Sequence, residues 1–352
     1  MDTGKAITLF SSIKLALTLK CCHNYIQPFP SDPGVAAGSV YTMAMQANIM
    51  NLHIQPLEHA FFCGTPYSSS EILASLQNFK DLGYMKISSQ KDGHRGTDAH
   101  VLELADFLAY AVGVKNMVFG IFQGKAETGP RALGHRTIVA NPTKLDTLDL
   151  LNSLVKYREK VRPLAPMMTL DAAREYFHLE DGASDNNYSA YNFMILAARA
   201  KDGVDKIVPA IVHADNSSRL QIVRKENDLF THSYLTAMGK YAGVEISVNT
   251  SLNVGTPIVQ TPQQALEALR KSKGMHGIIF ISDPSSKIGS VDKSRDVYIA
   301  WDTCRDKKSK LQNIMKKTGF HKFREVVGHE VVSVMEEWEK KMKTGLRKEI
   351  VQ

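Results

Sequence analysis

A planar guanidinium suits phosphate better than any other side chain, because its forked donors match the oxygens and its charge persists at every physiological pH. Two clusters of fixed positive charge fall within one stretch, Gly124 to Pro166. In the first, Arg131 and Arg136 flank a turn built on Gly129, Pro130 and Gly134, where the backbone can approach a ligand closely. The second holds Lys156, Arg158, Lys160 and Arg162 and ends at Pro163. From Arg131 to Arg162, 7 Lys and Arg face 3 Asp and Glu, so the excess needs an anionic partner or open water. Downstream, His213, Asp215 and Arg219 bring a titratable group, a carboxylate and a cation close together in sequence. By residue type alone, an anion-binding cleft and a solvated basic face remain level, as do a reactive histidine and one tied to Asp215 for structural support.

These groups need a scaffold, and the segments from Phe61 onward alternate between helix-like and strand-like patterns. Ser68 and Glu71 form a capping-box pair for a helix that closes at Gly83. Apolar residues at helical spacing predict helices over Ala99–Val112 and Thr143–Tyr157. A β-rich run, Asn116–Phe122, leads straight into the Gly124 loop. Val208–His213 and Val244–Val248 read as buried strands with a helix, Asn227–Tyr241, between them. Thr261, Pro262 and Gln264 combine an N-cap, an N1 proline and a capping-box amide, and His276–Ile281 reads as a last buried strand. This alternation predicts an α/β fold with a sheet covered by helices. A strand ending at His213 would place the histidine and Arg219 at a sheet edge, where α/β folds bind ligands.

Composition narrows the classes. At 352 residues, with 43% hydrophobic and 22% charged, the chain has room for two modest domains and an ample core. The net charge is +7, and from Trp301 to Gln352 there are 13 Lys and Arg against 8 Asp and Glu, so +5 of it lies in the tail. Such a tail can steer a chain toward nucleic acid, or it can be a solvated face. Cys21, Cys22, Cys63 and Cys304 form no CxxC pair, which argues against a disulfide framework or a zinc ribbon. No charged-then-apolar leader and no apolar run near the ~20 residues of a membrane span is visible, so a cytoplasmic location without membrane contact is expected. Val326–Met342 reads as an amphipathic helix suited to packing or to docking a partner.

The stretch GKAETGPRALGHRTIVANP, followed by LNSLVKYREKVRPLAP, resembles the signature of the O-carbamoyltransferase (NodU/CmcH) family. The resemblance continues in AIVHADNSSRLQIV and VNTSLNVGTPIVQTPQQAL, and Thr137 keeps the hydroxyl of the family's usual serine. It implies three units: residues 1–60 as the end of an actin/hexokinase-like (ASKHA) domain, residues 61–290 as a YrdC-like twisted mixed sheet flanked by helices, and residues 291–352 as a basic helical tail. It also implies a reaction in which carbamoyl phosphate and ATP, with Mg²⁺, give carbamoyl-adenylate for transfer to an acceptor hydroxyl. The K-x-R and S-x-N signatures would be Lys156 with Arg158 and Ser251 with Asn253. A Lys and an Arg two apart project alike from an extended segment and can hold two phosphates. His213 and Arg219 would join Lys156 and Arg158 in catalysis. Arg131, Arg136, Arg162, Asn249, Thr250, Ser251 and Asn253 would bind ATP and carbamoyl phosphate. Glu127 could either orient Arg131 or bind Mg²⁺.

Asp32, in the segment FPSDPGVAAG, matches a family metal ligand for Fe²⁺ or another divalent ion, while its residue type alone reads as a helix cap. The family's pair of histidines four apart has no counterpart among the 12 His; His53/His59 and His94/His100 are six apart. The expectation is therefore one subunit of a split O-carbamoyltransferase in a hetero-oligomer with an ASKHA-domain chain, the metal site being either completed by that partner or lost. A carbamoyltransferase or YrdC-type module acting on nucleic acid, and a non-catalytic partner subunit, are the alternatives.

Overall fold

Ser68 accepts from the Glu71 N–H while the Glu71 carboxylate takes the Ser68 N–H at 2.8 Å, and this reciprocal cap starts α1 (Ser69–Asn78). The computed structural model describes residues 61–87, 98–160, 162–179, 190–283 and 295–302, together with helical positions 35, 38, 39, 42 and 43. Asp32, the rest of the 1–60 segment and the Val326–Met342 helix lie outside the described residues. After α1 come β1 (Leu82–Ile87), α2 (Asp98–Gly113), β2 (Phe119–Gln123) and β3 (Arg136–Ala140). They are followed by α3 (Thr147–Leu150), a π turn (Leu151–Lys156), β4 (Ala165–Met168), α4 (Leu170–Tyr176) and β5 (Phe177–His178). A 3₁₀ turn (Ala190–Phe193), β6 (Ala197–Ala200), α5 (Val204–Ile207), β7 (Ser217–Arg219) and β8 (Gln221–Ile222) come next. The remainder is α6 (Leu229–Ala242), β9 (Ile246–Ser251), α7 (Pro262–Lys271), β10 (Gly277–Ile281) and β11 (Val297–Asp302).

The fold is mixed α/β. Among the described residues its main sheet has 8 strands in the order β1-β11-β10-β2-β3-β9-β4-β8; β10·β2 and β4·β8 are parallel and the other pairs antiparallel. Strands β5, β6 and β7 form a small antiparallel sheet beside it. Period-two alternation explains the layers. Ile278, Phe280, Tyr298 and Ala300 join one core with Ile72 and Leu76 of α1 and Leu266 and Leu269 of α7. Their strand neighbours Ile279, Ile281, Ile299 and Trp301 join the opposite core with Leu104 and Phe107 of α2 and Tyr234 and Met238 of α6. Because helices cover both faces, β2, β3, β10 and β11 are buried throughout; β10 is an apolar run from end to end, while Gln123, Arg136, Thr137 and Asp302 are buried polar residues at the ends of the other three.

Several expectations need correction. The helix after Ser68 ends at Asn78, and Gly83 lies inside β1. Glycine is required there because a Cβ would fall 2.5 Å from the Trp301 indole. Val208–His213 is not a strand: it turns, with Ile211 N–H bonded to the Val208 carbonyl at 3.2 Å. Its apolar pattern reflects the burial of Val208 and Ile211, while Pro209 lacks the N–H a ladder needs. The Thr143–Tyr157 helix begins only at Thr147 and widens into the π turn, which leaves Leu145 77% and Leu154 43% exposed while Leu151 and Val155 are buried. The sheet also runs past residue 290, since β11 pairs with both β1 and β10. Gly83→Ala is expected to lower stability by about 1–3 kcal/mol, from crowding against a packed indole; a fall in the urea midpoint without a change in slope checks it.

Candidate functional site

The first basic cluster sits on the loop joining β2 to β3, and side chains account for nearly all of the polar backbone just after Arg131. Glu127 Oε1 accepts from the N–H groups of Leu133 at 2.7 Å, His135 at 2.9 Å and Arg136 at 2.9 Å, and Thr137 Oγ1 accepts from Gly134 at 2.9 Å. The carbonyls point the other way: Ala132 accepts from Asn249 Nδ2 at 2.9 Å, Leu133 from Gln221 Nε2 at 2.8 Å, and Gly134 from Gln123 Nε2 at 3.1 Å. Gly134 has φ +105°, a conformation L side chains rarely adopt. The loop is therefore held in one shape, with Arg131 at its tip.

The second cluster is set by one amide. Asn152, fully buried in the π turn, accepts from Arg158 Nε at 2.7 Å and donates to the carbonyls of Lys160 and Arg162, both at 3.0 Å. Tyr157, at φ 51°, ends the turn in the left-handed region. Lys156 and Arg158 thus project from a coiled turn, not from an extended segment. Lys156 Nζ lies against β9 and the residues after it, donating to the Ser251 carbonyl, to Asn253 Oδ1 at 2.6 Å, to the Asn253 carbonyl at 3.2 Å and to Ser251 Oγ at 3.3 Å.

His213 lies in a tight loop before β7. Its N–H bonds the Ser217 carbonyl at 2.9 Å, and Asp215 Oδ1 accepts from Ser217 N–H at 3.1 Å and Ser217 Oγ at 2.7 Å. Asp215 therefore shapes the turn, and the imidazole bonds the Leu164 backbone. His213, Arg219, Arg131 and Arg158 line one cleft of about 140 Å³ with Asn249, Thr250 and Ser251; Pro130, Pro163, Leu164 and Met194 supply apolar wall. A water needs roughly 10–15 Å³ by this measure, so a small phosphorylated molecule fits.

The charges on this wall oppose one another. Arg131 has an exposed residue surface, yet crowding by protein brings its pKa down to about 10, through desolvation first, then Arg219 and Arg162. Desolvation and Arg162 lower Arg158, and desolvation lowers Arg219. Burial lowers His213 and Arg219 adds to this, against the Leu164 backbone and Asp215. Burial, then Arg158, takes Lys156 down to about 7, while its four oxygen partners work against both. An anion in the cleft would relieve this repulsion. No carboxylate is among the described residues lining it, and among the described residues no group of three or more His, Cys, Asp or Glu gathers as a metal site.

The structure brings Arg131, Arg158, His213, Arg219, Asn249, Thr250 and Ser251 together. Arg162 stands close enough to act on Arg131 and Arg158, and Lys156 and Asn253 meet behind Ser251. Arg136 must be corrected: it is 0% exposed, stacked 3.5 Å over the Phe122 ring, and donates to the Gln123 carbonyl at 2.6 Å and the Gly124 carbonyl at 3.2 Å. It clamps the root of the loop instead of facing a ligand. Asn249 reaches the wall, but its amide is occupied by Ala132 and by Gln221 Oε1 at 2.6 Å. Sequence reasoning gave no role to Asn152, Gln221 or Met194; only Asn152 had a signal, its place four residues before Lys156 in the quoted motif.

Residues 112–281 match the family model described as Carbamoyltransferase C-terminus. That match and the relatives below support the O-carbamoyltransferase (NodU/CmcH) family for this C-terminal region. It is 36% identical to nodulation protein NolO of Bradyrhizobium diazoefficiens over 150 residues, 42% of this chain and 26% of NolO. It is 30% identical to nodulation protein U of Rhizobium tropici over 230 residues, 65% of this chain and 34% of that relative. With an uncharacterized Synechocystis protein it shares 28% identity over 294 residues, 77% of this chain and 44% of the relative. The chain thus spans less than half the length of these relatives. No described helix is long and apolar enough to cross a membrane.

Two outcomes follow for the basic side chains. Arg136→Ala leaves Glu127 without its buried countercharge, and the unfolding free energy in urea should fall by about 3–5 kcal/mol. For Lys156, a folded pKa near 7 against the ordinary 10.5 means that the unfolded chain binds more protons between these limits. Stability should therefore rise as pH climbs from about 7 to about 10.5, and Lys156→Met should remove its share of that rise in urea midpoints measured across the range.

Proposed function

We propose that this chain forms carbamoyl-adenylate from carbamoyl phosphate and ATP, as the activating half of an O-carbamoyltransferase. The observation carrying this reading is the convergence of Arg131, Arg158, Arg219 and His213 on one cleft, inside the region that matches the carbamoyltransferase C-terminus. On this reading the domain is YrdC-like. The transfer half would use an actin-like (ASKHA) domain, with Asp32 contributing to a divalent metal site there, in a longer polypeptide or in a partner chain.

Atom balance fixes the order of events. Water takes the phosphoryl group of carbamoyl phosphate, leaving carbamate and inorganic phosphate. A carbamate oxygen then attacks the α-phosphorus of ATP and pyrophosphate departs. Arg131, Arg158 and Arg219 neutralise charge on the phosphates as it builds, a contribution that preorganised donors make most strongly in a partly desolvated site. His213, depressed by burial, holds a neutral imidazole that can accept a proton from the attacking water. Mg²⁺ would arrive with the triphosphate and offset part of its charge.

Mixing the chain with carbamoyl phosphate and ATP should release one pyrophosphate and one phosphate per carbamoyl-adenylate formed, with release dependent on both substrates. Arg158→Ala should slow it about a hundred-fold. Undetectable pyrophosphate with both substrates and Mg²⁺ present, alone and with an ASKHA-domain protein added, would sink the reading.

A further inference from the structure

Glu127 is 4% exposed, and its two carboxylate oxygens are used unequally. Oε1 takes three backbone N–H groups, while the buried Oε2 has no hydrogen-bond partner among the described residues. Buried carboxylates normally distribute their lone pairs over several donors, so three bonds converging on one oxygen mark it as the centre around which the backbone is wrapped. Its donors are residues 133, 135 and 136, and Arg131 stands two residues before the first of them. The adjoining carbonyls are held from the other side by Asn249 and Gln221. The side chain is not itself among those lining the cleft. It also has no company as a metal ligand, since no group of three or more His, Cys, Asp or Glu gathers among the described residues.

We infer that Glu127 is the positioning residue of the anion cleft: its Oε1 fixes the turn that follows Arg131 and thereby the direction from which that guanidinium meets the phosphate of carbamoyl phosphate. The inference rests on the function proposed above for its ligand, but not for the role of the carboxylate in the loop. Reach and acceptor geometry carry the positioning. The negative charge serves chiefly the buried Arg136, on which Glu127 acts across the loop. The two contributions can be separated by substitution. Glu127→Asp keeps the charge and shortens the reach, so the oxygen withdraws from three buried N–H groups. Glu127→Gln keeps an acceptor where Oε1 stands and removes the charge.

The test uses the full chain as wild type, Glu127→Asp, Glu127→Gln, Arg131→Ala and the Glu127→Asp/Arg131→Ala double variant. Calorimetric titration with carbamoyl phosphate, with and without Mg²⁺, is paired with amide hydrogen exchange over residues 128–136. Glu127→Asp is expected to weaken binding about ten- to a hundred-fold and to speed exchange in that segment alone. Glu127→Gln should melt lower yet bind within about three-fold of wild type. In the Arg131→Ala background, Glu127→Asp should cost almost nothing further, because both changes remove the same contact. Wild-type affinity in a folded Glu127→Asp variant, full additivity with Arg131→Ala, or a Glu127→Gln loss seen only with Mg²⁺ would each overturn the inference. Should the wild type take up no carbamoyl phosphate, the proposed function fails, and the exchange arm decides separately: faster exchange confined to 128–136 supports the holding role and unchanged exchange refutes it.

Discussion

Repulsion among like charges is the constraint around which this site is arranged. Arg131, Arg158 and Arg219 crowd one concavity with His213, Arg162 acts on two of them from close by, and no carboxylate is among the described residues lining it. Left to themselves, such side chains would swing apart into water, where a high dielectric nearly abolishes their mutual cost. The segments of Arg131, Arg158 and His213 are each anchored by a group that does not line the cleft. Glu127 gathers the loop of Arg131, Asn152 grips Arg158 and the two carbonyls beyond it, and the Ser217 hydroxyl with Asp215 shapes the turn of His213. The anchors are a neutral amide, a hydroxyl and two carboxylates, Glu127 and Asp215, already committed to nearby donors, so they order the segments while leaving Arg131, Arg158 and Arg219 without a carboxylate in the cleft lining. The cleft keeps an unmet demand for negative charge.

The sheet makes that anchoring possible. Strands β3, β9 and β4 are neighbours, and their ends deliver the loop root, the Asn249–Ser251 run and Ala165 to one edge of the cleft. Arg219 arrives from the smaller sheet through β7. Strand spacing is a fixed ~4.8 Å, so a shift of one residue in the register of β3 on β9 would turn Asn249 out of reach of Ala132. The apolar packing on both faces that sets this register is thus also what sets the distances in the site.

Much of this architecture could be read before any coordinates. Caps at Ser68 and Thr261 and the runs at Phe119 and Gly277 are local signals, decided by neighbouring residues, and they appear where their patterns place them. The misreadings came from features decided at long range. Arg131 and Arg136 look equivalent in sequence, five residues apart on the same glycine turn. Only the strand pairing that starts at Arg136 sends one guanidinium onto Phe122 and leaves the other at the loop tip. Val208–His213 has the apolarity of a strand because it is buried, yet burial does not require a ladder. The reach of Lys156 to Asn253 crosses from the π turn to the end of β9, and no spacing rule links those positions. The metal ligation expected of Asp32 falls outside the described residues.

One feature of the topology bears on how the chain is made. Among the described residues, strand β1 is hydrogen-bonded to the sheet through β11 alone, so this ladder at residues 82–87 must wait for residues 297–302. During synthesis β1 leaves the ribosome more than 200 residues before β11, with the edge that β11 covers and much of its apolar surface unprotected. The pairing of β1 is therefore made late, and until β11 emerges its open edge is free to pair with other extended segments.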